Sequence, residues 1–163
     1  MRGRNVEGVR AEQPIAAQSR PLRGQPEPYG QECGGGGGVP YRVFAVPPVR
    51  IRKVTIWHRQ FVDGIQIATD DGVLPQIGGT GRHHDVQTAT FELGPDEFLT
   101  GISVEYWTYL DRITFHTNQT SHGPFGGTGG RVQKKLLAPA GRAVAGFAGH
   151  HWDFIDSIQL MIV

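Results

Sequence analysis

Cysteine is almost missing from this chain of 163 residues: Cys33 stands alone, so no disulfide can form within the chain and its cysteine usage points to no oxidising compartment. Neither sign of charge prevails. The 16 basic and 15 acidic residues leave a formal charge of +1, too balanced and too scattered to attract phosphate backbones, which argues against nucleic acid as a partner. No apolar run approaches the ~20 residues that cross a bilayer, which argues against membrane insertion by a helix. The opening Met1-Arg-Gly-Arg4 runs into polar sequence with no apolar signal-peptide core, an arrangement that leans toward the cytoplasm. Nor does any long window join helical apolar spacing to freedom from Gly and Pro, so a helix of ordinary length has nowhere to fit.

What the chain does have is glycine, 24 residues of it, with 11 prolines, among Val, Ile, Thr and Phe. That mixture builds short strands and tight turns. Residues 1–32 hold scarcely any aromatic or β-branched side chains, too few to offset the entropy of ordering, and read as a flexible arm. From Cys33, a small apolar residue at a strand end, to Val163 the texture is that of one folded unit. Strands are expected over Tyr41–Val46, Ile51–His58, Gly64–Thr69, Val86–Leu93, Gly101–Tyr106, Arg112–Thr117, Val144–Ala148 and Phe154–Ile162. Turn signals such as Asp70-Asp71-Gly72, Gly94-Pro95-Asp96 and Pro139-Ala140-Gly141 lie between them. The fold class is all-β.

A repeat organises these pieces. Glycine clusters stand at Gly34–Gly38, Gly78–Gly81 and Gly126–Gly130, and each is followed by an apolar-Asp-x-Ile step: Val62-Asp63-Gly64-Ile65, Leu110-Asp111-Arg112-Ile113 and Ile155-Asp156-Ser157-Ile158. Both markers recur at a period of about 45 residues, which implies three copies of one supersecondary unit around a shared core. Each copy combines a carboxylate, able to accept two hydroxyl protons through charge-assisted bonds, with a loop lacking Cβ atoms, whose main chain a ligand can approach. A sugar, which offers hydroxyls and little else, suits that pairing. An aspartate at a strand end also caps local backbone, a role the triplicate pattern makes less sufficient by itself.

The stretch Gly34–Gly38, Ile51-Arg-Lys-Val-Thr-Ile56 and Val62–Ile65 resembles the opening of the jacalin-related lectins. Phe91-Glu-Leu-Gly94, Glu97-Phe-Leu-Thr-Gly-Ile102, Ile113-Thr-Phe-His-Thr-Asn118, Gly123-Pro-Phe-Gly-Gly127 and Val144-Ala-Gly-Phe-Ala-Gly149 follow in that family's order, over the whole of 33–163. The resemblance implies a β-prism of three four-stranded Greek-key sheets. It also implies non-catalytic binding of mono- or oligosaccharides and glycoconjugates, most often of the mannose or glucose type, with no cofactor and with a homodimer expected from exposed strand edges. By this resemblance the primary pocket comprises Gly38, Asp153, Phe154 and Asp156. Two further pockets would use Gln60, Phe61 and Asp63 beside Gly79–Arg82, and Thr108, Tyr109 and Asp111 beside the loop ending at Gly130. The family's Gly-x-x-x-Asp turn is not intact, because Arg59, Trp107 and Trp152 hold the glycine positions.

Rival readings start from other residues. The histidine pairs His83-His84 and His150-His151 point to opposite faces of an extended chain and make poor metal sites, so no metal is expected. The run Gly126–Lys135 lacks the Gly-Lys-Ser/Thr ending of a phosphate loop, and no Gly-x-Ser-x-Gly elbow exists. Two alternatives stay open: a glycosidase using Asp153 with Asp156, and a prism used as a protein-interaction module whose pockets have lost sugar affinity.

Overall fold

The computed structural model describes residues 24–163, and in them every regular element is a strand. Thirteen strands form three antiparallel sheets. One joins the two ends of the described chain: β1 (Glu27–Gly34) and β2 (Val39–Phe44) flank the hairpin of β12 (Val144–His151) and β13 (Ile155–Ile162) in the order β1-β13-β12-β2. A second centres on the hairpin of β3 (Ile51–His58) and β4 (Val62–Thr69), with β5 (Gly72–Val73) and β7 (Gln87–Glu92) outside and the short β6 (Ile77–Gly78) also on β4. The third has β8 (Leu99–Tyr106) and β9 (Leu110–Thr117) at its centre, flanked by β11 (Val132–Leu137) and β10 (Ser121–Gly126).

The sheets are the faces of a triangular prism. Strands β4, β9 and β13 each contact the other two across the axis, and their inward residues Ile65, Ile67, Ile113, Phe115, Ile158 and Leu160 are wholly buried. Alternation sets this up: in β3, for example, Val54 and Ile56 face the core while Lys53 and Thr55 face out. One sheet has five strands instead of four, because its outer strand is broken into β5 and β6 around Pro75.

Three differences from the sequence reading have physical causes. Residues 27–32, assigned above to the arm, form most of β1; its side chains are largely exposed, and main-chain pairing with β13 holds it in place of an apolar face. The arm assignment for residues 1–23 lies outside the described residues. Strands β10 and β11 were not expected, since both are outer strands of the third sheet, one interrupted by Gly123-Pro124 and the other carrying Gln133-Lys134-Lys135 on exposed positions. The return strands β4 and β9 begin two residues earlier than expected, which brings Asp63 and Asp111 inside them.

Candidate functional site

Each central hairpin turns through three residues, Arg59–Phe61, Trp107–Tyr109 or Trp152–Phe154, closed by a main-chain bond from the first N–H to the third carbonyl. The pairing then slips by one. Trp57 faces Gly64 but His58 faces Val62; Glu105 faces Arg112 but Tyr106 faces Leu110; His150 faces Ser157 but His151 faces Ile155. The extra residue of each bulge is Asp63, Asp111 or Asp156. A bulge re-aims the side chain it frees and lets the apolar residue before it and the Ile two residues after it both face the core. Val62, Leu110 and Ile155, with Ile65, Ile113 and Ile158, are indeed fully buried. The repeated apolar-Asp-x-Ile step is thus the sequence trace of three equivalent bulges.

The glycine clusters lie across these bulges. The N–H groups of Gly79, Gly127 and Gly35 donate to the main-chain carbonyls of Asp63, Asp111 and Asp156, all at 2.9 Å. The glycines just before them, Gly78, Gly126 and Gly34, have φ of 72°, 108° and 140°, and a Cβ on any of them would collide with the same carbonyl. Only glycine fits there. Each loop also presses on the turn of a neighbouring sheet, Gly35 on Thr108, Gly79 on Asp153 and Gly127 on Gln60, so that the three units interlock in a ring. Inside that ring the side chains of Phe61, Tyr109 and Phe154 meet on the axis, with centroids 5.5, 5.6 and 6.5 Å apart.

All three carboxylates are buried, with Asp63 0%, Asp111 4% and Asp156 7% exposed, and burial raises the pKa of each. Their partners differ. Asp156 receives no hydrogen bond to its carboxylate from the described residues; His150 and His151 pull its pKa part of the way down, and Oδ2 lies 2.8 Å from where a Cβ on Gly37 would sit. In Asp111 the atom Oδ2 is buried without a hydrogen-bond partner, and Oδ1 lies 3.4 Å from the corresponding place on Gly129. Asp63 also keeps one oxygen, Oδ1, buried without a hydrogen-bond partner, but its carboxylate is held by the Arg59 guanidinium, whose Nε donates to Oδ2 at 3.1 Å.

Two hollows open at this end. One of about 580 Å³ is lined by Asp111 and Gly126–Gly129 on one side and by His58–Phe61, Asp85 and Gln87 on the other. Another of about 300 Å³ lies between Gly78–His83 and Trp152–Phe154. The structure therefore brings Asp111 together with Gln60 and Phe61, and Asp153 and Phe154 together with the loop expected to serve Asp63. Thr108 and Tyr109 line neither hollow: the main chain of Thr108 packs on Gly35, and the Tyr109 ring lies on the axis. Gly38 abuts the main chain of His151, and Gly130 that of Glu105 and Tyr106. Trp107 and Trp152 fill no hollow; they are 51% and 70% exposed, with Arg131 stacked on Trp107.

Two residues passed over in the sequence position the loops. The N–H of Gly78 donates to Nδ1 of His151 at 2.7 Å, and that of Gly126 to Nδ1 of His58 at 3.2 Å. Burial lowers the pKa of both imidazoles, in keeping with an acceptor that must be unprotonated. Aligning the three repeats would have found them, since His58, Tyr106 and His151 stand at the same offset before the turn.

Other chemistry finds little support. Glu32, His150 and Ser157 meet, but Ser157 Oγ bonds to Glu32 and lies on the same ring nitrogen of His150 as the carboxylate, so the imidazole cannot relay a proton between them. Among the described residues no three of His, Cys, Asp and Glu converge as metal ligands.

Three sheets closed on a pseudo-threefold axis, each with an acid-bearing bulge under a glycine loop at the same end, define a β-prism domain of the lectin type. The family model "Jacalin-like lectin domain" matches residues 30–161, and the chain belongs to that family. It is 36% identical over 87 residues to the jacalin-related lectin Calsepa of Calystegia sepium, a match that covers 50% of this chain and 56% of that protein, so that it spans little more than half of the curated relative. The crystal structure of the Calystegia sepium agglutinin superposes with a TM-score of 0.73 at 26% identity, covering 85% of this chain and 97% of that one. Calsepa solved in complex with a bisected glycan gives 0.67 at 25% identity, covering 80% and 93%.

Proposed function

We propose that this chain is a lectin that binds a hexose of the mannose or glucose type, without chemical change, at Asp156 and at Asp111. One observation carries the reading: of the three carboxylates aimed by equivalent bulges beneath glycine loops, Asp156 receives no hydrogen bond from the described residues and Asp111 keeps Oδ2 buried without a partner, whereas Asp63 is held by a guanidinium. A buried acceptor without a partner costs roughly 1–3 kcal/mol, and a pair of sugar hydroxyls would offset that cost with charge-assisted bonds. Around Asp156 the sugar would lie between the loop residues Gly37 and Gly38 and the main chain of Asp153 and Phe154, whose side chains are turned to the neighbouring hollow and the axis; around Asp111 it would enter the hollow beside Gly127 and Gly129. The choice of mannose or glucose follows the family's common preference, and the relative solved with a bisected glycan supports carbohydrate as the class. Pairing of two chains through free strand edges would double the number of pockets.

A glycan array with titration calorimetry tests this on wild type, Asp156→Ala and Asp111→Ala. Each variant is expected to lose one site per chain while keeping its fold. A silent array together with a stable protein partner would favour the interaction-module reading. Release of reducing sugar from a glycoside panel would favour a glycosidase.

A further inference from the structure

The pocket at Asp63 differs from its two counterparts at the first turn residue. We propose that Arg59 is a built-in ligand of that pocket, closing it to sugar, so that the chain carries two working sites and not three; this rests on the reading of Asp156 and Asp111 as sugar sites. The Arg59 side chain is only 12% exposed and that of Asp63 not at all, so their contact is made out of water. The guanidinium also lies over the rings of Phe61 and Phe154, 5.4 Å from each centroid, where it makes cation–π contacts. The guanidinium thus occupies the carboxylate and the two aromatic faces that a bound sugar would otherwise meet.

The equivalent positions behave differently. Trp107 and Trp152 carry no charge to be drawn toward their aspartates, and both turn out to solvent. The loops differ as well: Gly37 and Gly129 stand against the carboxylates of Asp156 and Asp111, whereas Gly81 stands against the side chain of Val86. Arg82, at the position of Gly38 and Gly130, reaches away to Asp153 at 3.8 Å. In the Asp63 unit the acid is thus covered from within, while the loop, with Arg82 in place of a glycine, keeps its main chain on the bulge through the Gly79 N–H. A neutral hydroxyl would have to displace a paired cation from a buried carboxylate, leaving the guanidinium without its partner.

The test is sugar stoichiometry per chain, measured by calorimetry with whichever of methyl mannoside, glucoside or galactoside wild type binds best. Wild type and Asp63→Ala should both bind two, Arg59→Gly three, and Arg59→Gly/Asp63→Ala two. Three sites in wild type, loss of a site in Asp63→Ala, or a folded Arg59→Gly that still binds two would overturn the inference. Should Arg59→Gly fail to fold because Asp63 is left buried and unpaired, wild type and Asp63→Ala decide alone. No binding by wild type to any of the three sugars would sink the lectin reading itself, a result distinct from all of these.

Discussion

At the scale of the residue, a site made for a ligand hydroxyl is a liability while it is empty. Asp111 keeps Oδ2 buried without a partner, and burial raises its pKa because the charged form is disfavoured there. A group whose folded pKa lies above its unfolded value destabilises the fold once it is charged, so at neutral pH Asp111 works against folding. Asp111→Asn, which keeps the shape and removes the charge, should raise the melting temperature by a few degrees, the shift that ~1 kcal/mol produces in a domain of this size. Sugar binding at that pocket should fall at least tenfold in the same variant. Calorimetric melting and a binding isotherm on one preparation read both effects. An aspartate whose job was to cap its own turn would give the opposite sign, losing stability with the charge, and that outcome would remove Asp111 from the site.

At the scale of the element, the unit that matters is a bulged hairpin with a glycine loop laid across it, and two of the three loops hang on an imidazole. Nδ1 of His151 and of His58 accept the N–H of Gly78 and Gly126, which a protonated ring could not do. Asp156 and the ring of Tyr41 face His151; Asp63, Arg59, Asp85 and Asp111 surround His58. Burial depresses both pKa values below the ordinary 6.5 despite the carboxylates. The stability these bonds give is therefore present above about pH 6.5 and lost as pH falls through the folded values. Acid should lower the protection factors of the Gly78 and Gly126 amides, taken against their intrinsic exchange rates at each pH, before that of Gly35, whose loop hangs on no histidine. Hydrogen exchange followed by NMR across the acid range shows this order, and equal protection of all three would refute it. The loop-and-acid pairing was legible in the sequence because a bulge forces the same apolar-Asp-x-Ile step three times. Which turn each loop touches was not, since a repeat of about 45 residues fixes the unit but not how neighbouring units interlock. Outer strands were the least legible: β1, β10 and β11 are held by main-chain pairing and carry few core residues, so their side chains do not announce them.

At the scale of the whole molecule, the prism sets all three acids at one end, tied together by the ring of loop-on-turn contacts and by Phe61, Tyr109 and Phe154 on the axis. Two sugar sites at that one end, as proposed at Asp156 and Asp111, would suit a surface crowded with glycan ends more than a sugar in solution. A shallow site grips one hexose through few contacts, but once the first pocket is filled the second meets its sugar at a raised effective concentration, and apparent affinity can rise ~10²–10⁴-fold without a new contact. Wild type should accordingly hold a densely mannosylated surface at least ~10²-fold tighter than it holds the free methyl glycoside. Asp156→Ala and Asp111→Ala should each lose most of that gain while the surviving pocket keeps its intrinsic affinity for the free sugar. Sensorgrams at high and low ligand density separate the two quantities for a monomeric preparation. If either single variant kept the full surface affinity, the two pockets would not act from one face.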